Sequence, residues 1–324
     1  MSFHYHKFCL SFRHRIKELF YSIRYLSFFS GWDEVDKEER NAGIAMIDGR
    51  FRHGGICDRF KGMISLYNYC RYVGKPFRIR YYFPFELTDY LVPNKYDWRI
   101  SDKNISNSIW HVRPLCTRKE NGKRLLKLKT NKQIRFYGNR DLSEFLQYPP
   151  FNDDWGDIFN YLFKPSPLVQ GQLDYHKEAI NGEYVAAAFR FQNLLGDFEE
   201  YHCASITNSD EKEQLISANI EELKKIHEDN PDKIILVTAD SSTFLERASE
   251  LEYVYAIKGK QAHVDTKNVN QSNAMKSFID FYMLAGAKKV YGIVIDDMYP
   301  SDFPVCAAKI GHVPFIRIAK RHKL

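Results

Sequence analysis

Between residues 233 and 303 the sequence alternates between two periodicities, and this alternation restricts the fold more than any other feature. Apolar, β-branched runs at 234–238, 253–257 and 290–295 read as strands. Helix-like runs at 242–250 and 271–286 separate them. Strands joined through helices imply a parallel sheet with crossover connections. Polar residues stand where two of the strands end: Thr238-Ala239-Asp240-Ser241 and Asp296-Asp297. In open α/β sheets ligands bind outside the carboxyl ends of the strands. The stretch therefore reads as half of a nucleotide-type binding domain.

A chain of 324 residues has room for about two such domains. With 44% hydrophobic and 27% charged residues it has the composition of a globular protein. The net charge of +6 favours anionic ligands, phosphate-bearing donors or an anionic membrane surface, and no nucleic-acid-binding signature accompanies it. The six cysteines are scattered without CxxC spacing, which argues against a zinc site, thioredoxin-type chemistry or a disulfide framework. They read as buried thiols in a reducing compartment.

Residues 1–30 interleave Phe8, Phe12, Ile16, Leu19, Phe20, Ile23 and Leu26 with Lys7, Arg13, Arg15, Lys17 and Arg24. The apolar spacing is helical, and no apolar run reaches the roughly 20 residues of a membrane span. Two readings fit: a helix packed on the protein's own surface, or a helix lying in an anionic membrane interface. On the second reading the segment is dispensable for chemistry. After a charged linker at 33–41, AGIAMID (42–48), the glycine turn GRFRHGGICDRFKG (49–62) and KPFRIRYYF (75–83) form a βαβ unit. A glycine turn at a helix start lets backbone N–H groups approach an anion, and equally suits a tight strand-to-helix connection. Residues 84–180 are less regular, with strands at 109–115 and 132–139, a basic hairpin or excursion at 118–129 and a helix near 152–163. A first domain over 42–170 and a second over 180–320 follow. The second opens with the buried strand YVAAAFRF, which places Arg190 at its carboxyl end.

Four segments resemble the fucosyltransferase superfamily of α-1,6-, α-1,2- and protein O-fucosyltransferases and nodulation-type bacterial enzymes. GGICDRFKGMISLYNYC (54–70) is similar to its glycine-led helix opening. AAAFRFQNLLGDF (186–198) is similar to the strand ending in H-x-R-R-x-D, through Arg190. ILVTADSSTFLERA (235–248) and SFIDFYMLAGAKKVYGIVIDDMYPSDFPVCAAKIG (277–311) are similar to its later donor-side segments. Together they span roughly 42–75 and 183–318.

The resemblance implies a GT-B-like α/β architecture, two Rossmann-like domains with parallel sheets facing across a cleft. It implies inverting, metal-independent transfer of fucose from GDP-fucose to a glycan acceptor, with no cofactor. By that resemblance Arg190 binds the diphosphate, which suits a bidentate guanidinium. Asp240 and Ser241 face the base, Ser301 and Phe303 lie near phosphates and base, and Asp280 braces the helix beneath. His53, Gly54, Gly55 and Arg59 close on the donor from the first domain. The proton acceptor is sought near Arg190: Asp197 first, then Glu199 and Glu200, and last His53 from the first domain, with capping of the following segment as the competing role of the acids. Asp296-Asp297 reads as a strand-end pair and not as a metal-binding motif. The chain departs from the family pattern at Ala188, in place of histidine, at Phe191, in place of the second arginine, and in the expanded Thr238–Ser241 segment. These departures leave room for another GDP-sugar, or for a GDP-sugar or glycan-binding protein without turnover. A polysaccharide or lipid-linked oligosaccharide acceptor suits a cytoplasmic protein, peripheral at the inner face of the membrane.

Overall fold

The strand and helix runs of the sequence fold into two separate parallel sheets. A computed structural model of the chain describes residues 2–29, 31, 34–117, 123–143, 153–198, 204–259 and 271–321. Two units divide it: Met1–Leu87 with Pro93–Lys164, and Thr88–Val92 with Pro165–Leu324. In chain order the first part contains α1 (Ser2–Tyr25), β1 (Gly43–Ile47), α2 (Ile56–Val73), β2 (Phe77–Tyr81), β3 (Leu91–Pro93), β4 (Val112–Thr117), α3 (Lys123–Leu126), β5 (Gln133–Gly138), α4 (Trp155–Leu162) and β6 (Phe163–Pro165). The remainder contains α5 (Pro167–Ile180), β7 (Tyr184–Phe189), α6 (Ser209–Glu228), β8 (Ile234–Ala239), α7 (Ser242–Ala248), β9 (Val254–Ala256), α8 (Gln271–Ala285), β10 (Val290–Ile295), α9 (Phe303–Gly311) and β11 (Phe315–Lys320). Strands β3 and β6 form a small two-stranded sheet.

The first unit has the sheet order β2-β1-β5-β4, all parallel. Its central strand β1 is buried throughout, as expected of a parallel strand covered on both faces. Helix α2 lies close on this sheet: a Cβ at Gly62 would stand 1.9 Å from the Gly138 carbonyl oxygen. Only glycine permits that approach. Gly74, with φ 67°, then ends α2 in the left-handed conformation. The basic excursion expected at 118–129 forms the single helical turn α3 where it is described.

Helix α1 is part of this unit, which settles the first of its two readings. Tyr21 is fully buried and its hydroxyl meets the Arg135 guanidinium. The buried Glu18 carboxylate accepts from the Cys116 N–H at 3.0 Å and pairs with Arg124 at 2.7 Å. The segment is therefore not a dispensable appendage. Removing it would leave Arg135 and the end of β4 without these partners, a loss of several interactions worth roughly 1–3 kcal/mol each.

The second unit has the order β11-β10-β7-β8-β9, again all parallel. Counted within the unit, that is the order 5-4-1-2-3 of a Rossmann-type sheet. Its helices carry strong end signals. Ser166 caps α5 through the Val169 N–H, Pro167 occupies the first helical position, and Asn181 closes the helix at φ 51°. Asp210 and Glu211 open α6, and Lys225 and His227 close it, matching the helix dipole. Four of the cysteines, Cys57, Cys70, Cys116 and Cys306, are buried free thiols. Burial pushes the Cys70 thiol up to about 12.

Candidate functional site

In the second unit the strand order reverses between β7 and β10, and the carboxyl ends of these strands are where such a sheet holds a ligand. Arg190 follows β7 directly. The Tyr299 N–H, beyond β10, donates to the Arg190 carbonyl at 3.1 Å, so both strand ends are tied at this residue. The guanidinium pairs with Asp240 at 3.1 Å and lies over the Phe198 ring at 4.6 Å. The Asp240 side chain is fully buried, whereas that of Arg190 keeps 20% of its surface exposed. The arginine is thus fixed in direction while part of it still faces solvent.

Asp240, at the end of β8, fixes more than the arginine. Its two carboxylate oxygens accept from the Phe191 and Gln192 N–H groups, each at 2.8 Å. Gln192 has φ 55°, a conformation costly for a residue with a Cβ, and the carboxylate supports this turn. Burial raises the Asp240 pKa, opposed by Arg190 and the two N–H donors. With its oxygens engaged in this way, Asp240 is placed to position Arg190 rather than to accept from a base. Phe191 and Ala188 also have physical explanations. Phe191 is fully buried and packs on Phe244 at 4.9 Å, while Phe189 meets the same ring at 4.6 Å. A side chain at position 191 points into the core beneath Arg190. Ala188, itself buried, lies opposite Gly292 and Thr238 on the neighbouring strands.

Asp197 turns toward α7. Its Oδ2 accepts from the Ser241 hydroxyl at 2.8 Å, the Ser242 hydroxyl at 3.3 Å and the Thr243 N–H at 2.9 Å. Burial pushes its pKa up, but the Thr243 and Ser241 hydrogen bonds outweigh this and hold it below the usual carboxylate value. Oδ1 is buried and without a hydrogen-bond partner among the described residues. Ser241 is fully buried and caps α7 through the Phe244 N–H at 3.1 Å. Glu199 and Glu200 lie outside the described residues.

Ser301 and Phe303 sit at the start of α9. The Ser301 hydroxyl accepts from the Phe303 N–H at 3.1 Å, and its carbonyl accepts from Arg317 at 3.0 Å. The half-buried Phe303 ring meets Phe281 at 5.3 Å. Asp280 lies on α8 in a buried ion pair with Lys276, at 2.7 Å. Lys276 was not legible as a partner, although the i, i+4 spacing was its signal. Asp296, with φ 52°, is the bend after β10. Among the described residues no group of three or more His, Cys, Asp or Glu side chains could share a metal ion.

In the first unit the central strands β1 and β5 run side by side to their carboxyl ends. A cavity of about 370 Å³ opens there, lined among others by Lys17, Phe20, Arg50, Phe51, Arg52 and His53. Arg50 pairs with the buried Asp48 at 3.0 Å and lies over the Tyr25 ring at 4.6 Å. Tyr137 donates to the same carboxylate at 3.0 Å. Burial works against the Arg50 charge, but Asp48 more than restores it. His53 is buried at this edge. Gly54 has φ 76°, and a Cβ there would meet the Asp58 carboxylate at 2.4 Å. Gly55 is the N-cap position of α2. Arg59, expected to reach a donor, is only 1% exposed. It donates to the Tyr81 hydroxyl at 2.7 Å and the Phe83 carbonyl at 2.9 Å, bracing the end of β2.

Comparison with solved structures places this fold. The chain shares the GT-B-like fold of known fucosyltransferases. An α-1,6-fucosyltransferase, NodZ, soaked with GDP-fucose, superimposes with a TM-score of 0.54 at 14% identity, over 86% of this chain and 94% of that one. The fucosyltransferase NodZ from Bradyrhizobium gives 0.55 at 13% identity, with the same coverage. A mutant of Arabidopsis thaliana FUT1 in complex with GDP gives 0.55 at 11% identity, over 88% and 72%. A scan against protein-family models and a search of curated proteins give no match. The likeness lies in the architecture, while the sequences have diverged almost completely.

Proposed function

We propose that this chain is a glycosyltransferase that moves a sugar, fucose in the first instance, from a GDP-sugar to a glycan acceptor, with inversion and without a metal ion. The observation that carries this reading is Arg190. It stands at the point where the strand order of a Rossmann-type sheet reverses, directed by Asp240 and Phe198 and partly exposed. Solved proteins of this fold hold GDP or GDP-fucose.

On this reading the guanidinium binds the donor diphosphate through two N–H donors. As the bond between C1 and the diphosphate oxygen breaks, negative charge builds on the departing GDP, and Arg190 stabilises it. The acceptor hydroxyl attacks C1 from the opposite face and releases its proton to a base. Asp197, held below the ordinary carboxylate pKa, is a weak base, and its carboxylate is engaged with α7. That favours a bracing role for Asp197 and leaves proton transfer to be tested at Glu199. Ser301 and Phe303 contribute to the donor side, and Asp240 and Ser241 hold the loops that carry Arg190. The aromatic and cationic cavity of the first unit is suited to an acceptor sugar, with rings to stack on and Arg50, Arg52 and His53 to donate hydrogen bonds. A lipid-linked oligosaccharide is an acceptor that would bring such an enzyme to the inner membrane surface.

The test is a thermal-shift series followed by a turnover assay. GDP and GDP-fucose should raise the melting temperature well above the effect of UDP, by mass action on the native state. GDP release from GDP-fucose should increase when a glycan acceptor is added and should survive EDTA. Stabilisation by GDP without any release would favour the alternative, a GDP-sugar or glycan-binding protein without turnover, for which the departures at Ala188 and Phe191 leave room. Preferential stabilisation by UDP would overturn the donor class.

A further inference from the structure

Helix α1 has one face covered by the fold and a second, apolar face that is not. His14, Glu18 and Tyr21 form the face that packs on the first unit. Phe12, Ile16, Leu19 and Ile23 follow the i, i+4, i+7, i+11 spacing along the opposite face and are 48–61% exposed. The patch continues past the helix, where Phe28 and Phe29 are exposed and the exposed Trp110 donates its indole N–H to the Phe28 carbonyl at 3.2 Å. An outward row of large apolar side chains on this scale marks an interaction surface.

The charge around the row selects its occupant. At 100° per residue, Arg13, Lys17 and Arg24 fall on one shoulder of the row and Arg15 on the other, and all four are exposed. The one acid between residues 9 and 29, Glu18, is on the opposite, buried face and is taken by Arg124 and the Cys116 N–H. An apolar row between two cationic shoulders, with no exposed acid, is complementary to the boundary between the acyl chains and headgroups of an anionic bilayer. A second copy of the same helix would instead set cation against cation. Among the described residues no helix is long and apolar enough to cross a membrane.

We infer that α1 is an in-plane membrane-docking helix. Phe12, Ile16, Leu19 and Ile23 enter the outer acyl region, and Arg13, Arg15 and Arg24 meet lipid phosphates. Its inner face remains part of the first unit, so that unit docks through a helix built into its fold rather than through a flexible tether. The inference rests on the geometry of α1 and stands independently of the proposed transferase activity.

The experiment is co-sedimentation of the full-length chain with vesicles of phosphatidylcholine alone or with about one third phosphatidylglycerol. The wild-type chain should sediment with the anionic vesicles, much less with the neutral ones, and less as salt increases. The variant Ile16→Gln/Leu19→Gln/Ile23→Gln should keep its melting temperature, because these side chains are exposed, and should bind at least about tenfold more weakly. Arg13→Gln/Arg15→Gln should lose the preference for anionic vesicles. Wild-type protein left in the supernatant with anionic vesicles would overturn the inference, as would equal binding by the triple variant. Dimerisation abolished by the triple variant, without vesicle binding, would assign the row to a second copy and also overturn it.

Discussion

Both units put an arginine paired with a buried aspartate beyond the carboxyl end of a central strand. The pairs are Arg50 with Asp48, after β1, in the first unit, and Arg190 with Asp240, at the ends of β7 and β8, in the second. The difference lies in what the aspartate is tied to. Asp48 shares the turn of its arginine and is held by Tyr137. Asp240 comes from the neighbouring strand end and also holds two backbone N–H groups of the arginine's own turn. The second unit therefore fixes one cation firmly, an arrangement suited to a compact anion such as a diphosphate. The first surrounds its cations with Phe20, Tyr25 and Phe51 around a cavity of about 370 Å³, as a sugar ring requires. On the proposed reading the second unit would serve the donor and the first the acceptor.

The largest expected effect breaks or keeps that division. Arg190→Ala should lower transfer by at least about a hundredfold, the scale of losing one donor aimed at developing charge. Arg190→Lys should recover little, since a lysine cannot span two oxygens. If Arg50→Ala caused the larger loss while Arg190→Ala transferred normally, the assignment of the units would be reversed. Next, Asp240→Ala should destabilise the fold by roughly 2–4 kcal/mol in denaturant unfolding, because the Phe191 and Gln192 N–H groups and the Arg190 charge lose a buried acceptor. An unchanged midpoint would show that the turn holds without it.

What the sequence revealed and what it hid follow from the same chemistry. The β8–α7–β9–α8–β10 run was legible because strands buried on both faces are continuous apolar runs, and Arg190 was legible as the first polar residue after one of them. The two faces of α1 were harder, because buried Tyr21 and exposed Phe20 look alike in a list of aromatics. Arg59 reads as a polar, ligand-facing residue, and its burial depends on Tyr81 and the Phe83 carbonyl, which are distant in sequence. Asp240 was found by position, but its work on the Gln192 turn depends on a backbone conformation that no residue type announces.

Smaller effects sharpen the comparison. Phe51→Ala and Arg52→Ala should raise the KM for the glycan acceptor by about tenfold, or roughly 1.4 kcal/mol, with little change in GDP affinity. A change in GDP affinity without one in acceptor KM would place the donor in the first unit. Asp197→Asn should have its clearest effect on the acid limb of stability. A carboxylate held below its usual value of 3.8 adds stability that is complete above that value and lost as pH falls through the folded pKa. The variant should therefore show a shallower loss of melting temperature below about pH 4 and should retain GDP binding. If transfer vanished while GDP binding and the pH profile stayed as in the wild type, Asp197 would be the base and not a brace.

On the proposed reading the β7–β10 strand ends hold a guanosine diphosphate through Arg190. Calorimetric titration of GDP and UDP into the wild-type chain and into Arg190→Ala, at one salt concentration, tests it directly. GDP binding should exceed UDP binding in the wild type and weaken by at least about tenfold in a variant that remains folded. Equal GDP affinity in the wild type and a folded Arg190→Ala would contradict it.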